Sequence, residues 1–481
     1  MKLPEISINP KSIRTIDQAK DAISELLNTI EELGKTIRQL SERNAALEKE
    51  LARYKKQAKK PQFPASNNAS AGNNDYSSKK QLNESTGWHK PDKKPNISPD
   101  REEQLSEVDT CSCGSTLFTV IRTWNKLVQG LIIKRENVLY NGRDKKCQNC
   151  GKVYGSIIPK DIFGKEFSSE LRTWVSIFKF DLRLSERLIK RFCEELEISI
   201  SKGQITAILL ENSQKLSTSF TYLKIWGLKL SSFVHTDATM INRFLKTGKR
   251  LHEHVNFIGH KFLSLFIITP KYNGAVLTAK VFTKRALQKI IVISDDASAN
   301  GKWLLLSLKQ LCWIHEIRHY LKLEPSVLVH KRKLATVTGQ LWTWYHKAKD
   351  YGRDPTPQKR KALEDELDKI VSQRTGYKEL DHRLFLTQKK KKRLLLFLDY
   401  PGLPIENNLA ERGLRPVVIL RKLMGGTKSP EGDRSFERHM SIIHTAKKQG
   451  LNMFETMHGL INGTLDPSIL TKKTLRALIA C

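Results

Sequence analysis

Three acidic side chains are spaced for chemistry on phosphodiesters. Asp237 follows the apolar segment Leu230 to His235, Asp295 follows the compact apolar run Ile290 to Ile293, and Glu411 lies in IENNLAERGLRP, which reads as a helix start. Two Mg²⁺ (or Mn²⁺) ions about 3.5–4 Å apart, held by carboxylates on rigid elements, would activate an attacking oxygen and stabilise a leaving one. Mg²⁺ prefers hard oxygen ligands and keeps several waters, so a few carboxylates suffice. Spacing alone leaves the plainer reading open, because solvated acids at strand ends are common. Asp296 competes with Asp295 for one role. Neighbours on a strand point to opposite faces, so one of the two is the ligand, and Asp295 is nearer the strand end. Glu406 competes with Glu411 in the last segment.

Two cysteine pairs offer a second site. Cys111 and Cys113 precede Gly114, and Cys147 and Cys150 precede Gly151. Four thiolates close a tetrahedral structural zinc site. The second pair has the standard two-residue spacing, whereas the first has a single intervening residue. Cys193, Cys312 and Cys481 read as core or incidental positions. His315-Glu316-Ile317-Arg318-His319 spells the zinc-peptidase helix motif, but it is short and has no convincing third ligand. Arg412, Arg415, Arg421 and Lys422 flank or follow Glu411 and could neutralise phosphates, as could the run Lys389 to Arg393. Such contacts position DNA without reading its sequence.

These residues need elements to carry them. From Ile23 to Leu51 apolar residues follow a heptad: Ile23, Ile30, Ile37, Asn44 and Leu51 at a, and Leu26, Leu33, Leu40 and Leu47 at d. Ile at a with Leu at d favours a two-stranded coiled coil, and a lone Asn at a fixes its register. The stretch PASNNASAGNNDYSSKK and the Pro-rich, charged one after it read as flexible linker. Residues from about Phe163 to Glu211 read as helices, with Ser185 a candidate N-cap and EISISKGQIT compatible with the turn of a helix-turn-helix. Strands are expected at Leu230 to His235, Leu251 to Ile258, Phe262 to Thr269, Ala275 to Phe282 after an Asn273-Gly274 turn, and Ile290 to Ile293, with a short helix from Lys284. That order is the order of an RNase H-like sheet. A basic helical region runs from about Lys302 to Leu398.

Composition narrows the function classes. The 481 residues carry 83 Lys plus Arg against 50 Asp plus Glu, a net charge of +33, which argues for a polyanionic partner. No apolar run approaches the ~20 residues of a membrane span. The N-terminal MKLPEISINPKS lacks the apolar stretch of a signal peptide. Seven cysteines fit a reducing, cytoplasmic compartment, where cysteine pairs suggest metal rather than disulfide.

The block PIENNLAERGLRPVVILRKLMGG, followed by SIIHTAKKQGLN, resembles the signature of the insertion-sequence 66 family of DDE transposases. Its skeleton falls on Asn407, Asn408, Ala410, Glu411, Arg412, Leu414, Arg415, Pro416, Arg421, Lys422, Thr445, Ala446, Lys447 and Gly450. LCWIHEIRHY is similar to the family's Cys-Trp-x-His-x-x-Arg element on Cys312, Trp313, His315 and Arg318, and HTDATMI to the element with the first catalytic Asp. The departures are Ala238, where the family has an acid, and Ser294-Asp295-Asp296-Ala297, where it has Asp-Gly-aromatic.

The resemblance implies a multidomain α+β protein: a coiled coil (16–54), a linker (55–107), a zinc-ribbon-like module (108–159), a helical DNA-binding region (160–225), an RNase H-like core (226–425) with a helical insertion at about 320–398, and a C-terminal helical region (426–481). It implies metal-dependent cleavage and transfer of DNA strands, with Asp237, Asp295 and Glu411 holding two Mg²⁺ ions. Glu411 takes precedence over Glu406, and His315 and Arg318 act in packing or phosphate contact. It further implies double-stranded DNA as partner (element ends and target), self-association through the coil as a homodimer or higher, accessory proteins of the same element, no membrane, and a bacterial, nucleoid-associated location. The alternative is a decayed transposase that only binds DNA.

Overall fold

A computed structural model describes residues 13–54, most of 101–158, 163–270 apart from 230 and 246, 290–296 and 308–473. Cys111, Cys481, the linker core, the Asn273-Gly274 turn, the strand expected at Ala275 to Phe282 and the helix expected from Lys284 lie outside the described residues. The chain divides into a unit of residues 63–140 and a unit made of the remainder. The described residues of the smaller unit contain no helix or strand, and its Cys113 is exposed. Among the described residues no helix is long and apolar enough to cross a membrane.

The larger unit opens with helix α1 (Ile16–Tyr54). Its heptad side chains Ile23, Leu26, Ile30, Ile37, Leu40, Leu47 and Leu51 are exposed. A different, polar face docks on the chain's own helices. There the buried Glu31 accepts the N–H groups of Ser326 and Val327 at 2.8 and 2.6 Å and lies 3.3 Å from Nδ1 of His330. Arg38 donates to the Glu324 carbonyl at 2.9 Å, and Asn28 to that of Gly376 at 3.0 Å. Burial alone would push the Glu31 carboxyl up, but the two N–H donors and His330 outweigh it and hold it below its usual range.

A two-stranded hairpin follows, β1 (Lys145–Lys146) with β2 (Val153–Tyr154), and its turn contains Cys147 and Cys150. Gly151 closes it at φ 73°, a left-handed conformation glycine adopts without penalty.

Helices α2 (Ser169–Phe180), α3 (Glu186–Glu195), α4 (Lys202–Lys215) and α5 (Ser217–Tyr222) come next. Ser168, Ser185 and Ser201 each cap a helix through the side-chain oxygen. Ile205, Ile208, Leu209 and Asn212 of α4 are buried, and Asn212 donates to the Arg172 carbonyl at 2.9 Å. The α3–α4 pair forms where the sequence was compatible with a helix-turn-helix, and α4 turns one face to the core and another to solvent.

The central sheet joins β3 (Phe233–Phe244), β4 (Arg250–His260), β5 (Leu263–Thr269), β6 (Ile291–Ser294) and β7 (Lys309–Leu311) in the order β5-β4-β3-β6-β7. The first three are antiparallel, while β6 runs parallel to β3 and β7 to β6. β3 extends well past the expected end at His235, so Asp237 lies within a strand, opposite Phe257 of β4. β7 occupies part of the stretch expected to be helical, because Lys309, Gln310 and Leu311 add to the buried parallel edge.

Helix α6 (Trp313–Leu321) leaves β7. Helices α7 (Leu328–Tyr351), α8 (Pro357–Val371) and α9 (Lys378–Leu394) then build a second apolar core. Trp313 and Trp344 stand at its centre with ring centroids 4.3 Å apart, and their indole N–H groups donate to the carbonyls of Leu394 and Leu363, both at 2.8 Å. The chain returns as α10 (Asn408–Met424), β8 (Gly426–Thr427, paired with β3), α11 (Pro430–Lys448) and α12 (Met453–Asn462).

Helix α11 seals the outer edge of β5 with side chains one turn apart. The N–H groups of Ser264, Phe266 and Ile268 donate to Thr445 Oγ1 (3.1 Å), Ser441 Oγ (3.0 Å) and Glu437 Oε1 (2.7 Å). Alternate N–H groups of an edge strand are thereby covered, which removes a template for aggregation. Thr445 also donates to the Ser264 carbonyl at 3.1 Å. Thr445→Val keeps the shape and removes both bonds, so it is expected to destabilise by about 1–3 kcal/mol, the cost of orphaning buried backbone polar groups. A lowered urea midpoint measures this; an unchanged midpoint would show that the helix seals the edge by packing alone.

Candidate active site

The parallel register sets the first two acids. His235 of β3 pairs with Ile293 of β6. Asp237, within β3, and Asp295, one residue past the end of β6, each stand two residues beyond that rung. Asp296 follows and is ion-paired with Lys390 of α9. Lys390 also lies 3.7 Å from the buried Glu316, which is held by Arg383 and by Thr387 Oγ1 at 2.6 Å. This network removes Glu316, the glutamate of the apparent peptidase motif, from any role as a base.

Glu411 arrives on the first turn of α10. Helix α10 comes close to the sheet here because residue 413 is glycine: a Cβ would stand 2.5 Å from the Phe257 ring. The half-buried Glu411 carboxylate is met by Arg318 Nη1 at 3.2 Å and His315 Nε2 at 3.4 Å, both from α6. Nδ1 of His315 is buried without a partner. Burial pushes the His315 imidazole down, against the pull of Glu411. Glu406 faces elsewhere, joined to Lys349 of α7 at 2.8 Å.

Asp237 accepts the N–H of Ala238 at 2.8 Å. Its carboxyl is pushed up to about 7, first by burial and then by the negative charges of Asp295 and Glu411, and the Ala238 bond only partly offsets this. The three acids are therefore near enough to feel one another. Among the described residues no three His, Cys, Asp or Glu side chains are gathered tightly enough to enclose a metal ion. Lys309, buried beside Asp296 and Asp295, is pulled down to about 8 by desolvation.

The basic residues divide. Arg412, Arg415 and Lys422 are exposed along one side of α10. Arg421 donates to Thr239 Oγ1 at 3.0 Å and to the Met240 carbonyl, and so anchors α10 to β3. In the run Lys389 to Arg393, Lys391 pairs with Asp368 at 2.6 Å and Lys389 lies over the Phe385 ring at 4.4 Å.

The model of the Transposase IS66 family matches residues 164–435. The chain belongs to that family. The matched segment of this IS66 family member contains Asp237, Asp295, Glu411, His315 and Arg318, and leaves out α1, the cysteine hairpin and α12. Over 164 residues the chain is 32% identical to the uncharacterized protein y4jO of Sinorhizobium fredii (strain NBRC 101917 / NGR234), a stretch covering 34% of this chain and 50% of that one. The chain thus spans about half the length of that curated relative.

The contacts of two residues beside the acids escaped the sequence reading. Nothing in the basic run singles out Lys390 as the partner of Asp296. Asn407 was visible within the family block, but its place before a helix suggests a cap rather than the inward contacts it makes.

The Asp237 shift has a definite sign in the metal-free protein. Below about pH 4 the carboxyl is protonated in folded and unfolded chains alike and carries no penalty. Between there and about 7 the unfolded chain loses its proton first, so stability falls as pH rises, and above 7 the full penalty is present. Asp237→Asn is expected to stabilise by on the order of 2 kcal/mol at pH 8, partial exposure limiting the gain, and to change nothing at pH 4. Thermal unfolding with chelator present reads the difference; equal shifts at both pH values would rule out the buried charge as cause.

Proposed function

We propose that this chain is a DNA transposase of a bacterial insertion sequence, acting through metal-dependent strand cleavage and strand transfer. The observation that carries the reading is the common position of Asp237 and Asp295 beyond one parallel rung, with Glu411 close enough to raise the Asp237 pKa. The sheet order, antiparallel on one side of β3 and parallel on the other, supports an RNase H-like core.

Asp237, Asp295 and Glu411 are the residues that would hold two Mg²⁺ or Mn²⁺ ions. Hard carboxylate oxygens, one of them on an acid whose pKa is raised by burial and then by its two acidic neighbours, suit a divalent cation. Such ions would supply activation of the attacking oxygen and charge relief on the leaving one. Arg318 and His315 orient Glu411, and Lys390 keeps Asp296 out of the acid group. Arg412, Arg415 and Lys422 present positive charge to phosphates beside the site. Water is the nucleophile at the element ends and a freed DNA 3′-hydroxyl the nucleophile at the target. Each step exchanges one P–O bond for another without a covalent protein intermediate.

The remaining modules fit the same reading. The exposed heptad seam of α1 supports pairing of two chains, which brings two DNA ends together. Structural zinc on Cys111, Cys113, Cys147 and Cys150 is supported by one half alone. In the hairpin turn, backbone N–H groups of Cys150 and Asn149 hold the Cys147 thiol below its usual range, which favours the thiolate a metal needs. Double-stranded DNA, accessory proteins of the same element and a cytoplasmic, nucleoid-associated setting complete the proposal.

The test is cleavage of a labelled duplex bearing the element's own ends, with Mg²⁺ or Mn²⁺. Asp237→Ala, Asp295→Ala and Glu411→Ala are expected to lower nicking at least about 100-fold, as loss of a principal electrostatic group does. Asp296→Ala is expected to keep most of the activity and lose stability. Loss of nicking in Asp296→Ala with retention in Asp295→Ala would reverse the ligand assignment. Binding without nicking in the wild type, accessory proteins supplied, would favour the decayed DNA-binding reading. For the cysteine module, metal analysis of the purified chain is expected to give about one zinc, lost in Cys147→Ser; a zinc-free, folded wild type would refute it.

A further inference from the structure

Asn407 joins the elements that carry the acids. It occupies the N-cap position of α10, yet its side chain makes no cap. It turns inward and is completely buried. Its Nδ2–H donates to the carbonyl of Thr236, the residue before Asp237, at 2.9 Å. Its Oδ1 lies 3.0 Å from Nδ1 of the buried His235 on the same strand. An amide oxygen can only accept, so His235 donates from Nδ1. The Asn407 backbone N–H points at Sγ of Cys312, 3.2 Å away at the root of α6. Its carbonyl accepts the N–H of Glu411 at 3.3 Å.

Three elements therefore meet on one residue: the strand of Asp237, the helix of Glu411, and the helix whose His315 and Arg318 hold Glu411. The amide can sit only one way round. Reversed, it would set an oxygen against the Thr236 carbonyl and an NH₂ against the donor nitrogen of His235.

We propose that Asn407 is a positioning residue for the acid group: it fixes Asp237 relative to Glu411 and thereby sets the affinity of the site for its divalent cation. The proposal rests on the reading of the three acids given above. Asn407 touches none of the reacting atoms. It acts through the backbone of Thr236 and through the start of α10. Outer partners of this kind typically change metal affinity or activity by about 10–100-fold when removed.

The experiment titrates Mn²⁺ into the full-length chain and follows the rise in unfolding temperature that metal binding confers. Wild type, Asp237→Ala, Asn407→Ala and His235→Ala are compared, and nicking of the end-bearing duplex is read on the same samples. A metal-dependent rise in wild type that is absent in Asp237→Ala marks the acids as the metal site. Asn407→Ala is then expected to need about 10–100-fold more Mn²⁺ for the same rise and for half-maximal nicking, with DNA affinity unchanged within about twofold. His235→Ala removes one arm and leaves the Thr236 bond, so it is expected to need about tenfold more and provides the test should Asn407→Ala not fold. A variant that is merely less stable would keep the wild-type metal midpoint, and that result in either folded variant overturns the proposal. A wild type with no metal response overturns the reading of the acids, and the proposal with it.

Discussion

Carboxylates drawn together repel one another, and much of the architecture around β3 can be understood as holding them against that repulsion. The repulsion adds to burial at Asp237, whose carboxyl is pushed up to about 7 first by desolvation and then by the charges of Asp295 and Glu411. It is opposed by rigid backbone: a parallel rung of the sheet fixes Asp237 and Asp295, and a helix packed against Phe257 through Gly413 fixes Glu411. It is also opposed by charge, since Arg318 faces Glu411 and Lys390 is paired with Asp296, while His315 turns a ring nitrogen toward Glu411. None of these partners comes from β3 or β6. All come from the segment between β7 and α10, so this segment is part of the electrostatics of the site.

That segment has its own apolar core around Trp313 and Trp344, separate from the core beneath β3, β4 and β5. Two cores allow the acid group to lie along their common border, where polar groups can be half-buried without disrupting either. The same segment receives α1 by a polar route. Val327 offers no side-chain cap to α7, and Glu31 supplies the missing acceptor from elsewhere in the chain. A carboxylate at a helix N-terminus satisfies orphan N–H groups and meets a favourable dipole. The heptad side chains other than the half-buried Leu33 stay exposed.

The sequence was most legible where a single physical rule decides the outcome. The apolar run before Asp295 marks β6, and the heptad marks the long helix α1. Ser185 announced the start of α3 as its N-cap. Legibility failed where a residue's meaning depends on a distant partner. β3 was cut short because its second half, through Asn242 and Arg243, is polar, and only the ladder to β4 and β8 reveals it. β7 is too short to leave a pattern. The docking face of α1 uses Asn28, Glu31 and Arg38, which look like ordinary solvated residues on a heptad helix. Asn407 resembles a cap until its contacts with His235 and Thr236 are known.

The separation of those contacts along the chain has a consequence for when the site exists. His235 and Asn407 are 172 residues apart. At about 5–20 residues per second, a ribosome takes on the order of 10–30 s to travel from one to the other. Throughout that interval the emerging polypeptide holds α1, the cysteine hairpin and the first aspartate, and for most of it the second as well, but no Glu411 and no Asn407 to anchor it. Translation halted anywhere between β7 and α10 yields a product with two of the three acids. The complete set belongs to chains that have been read through to the first turn of α10.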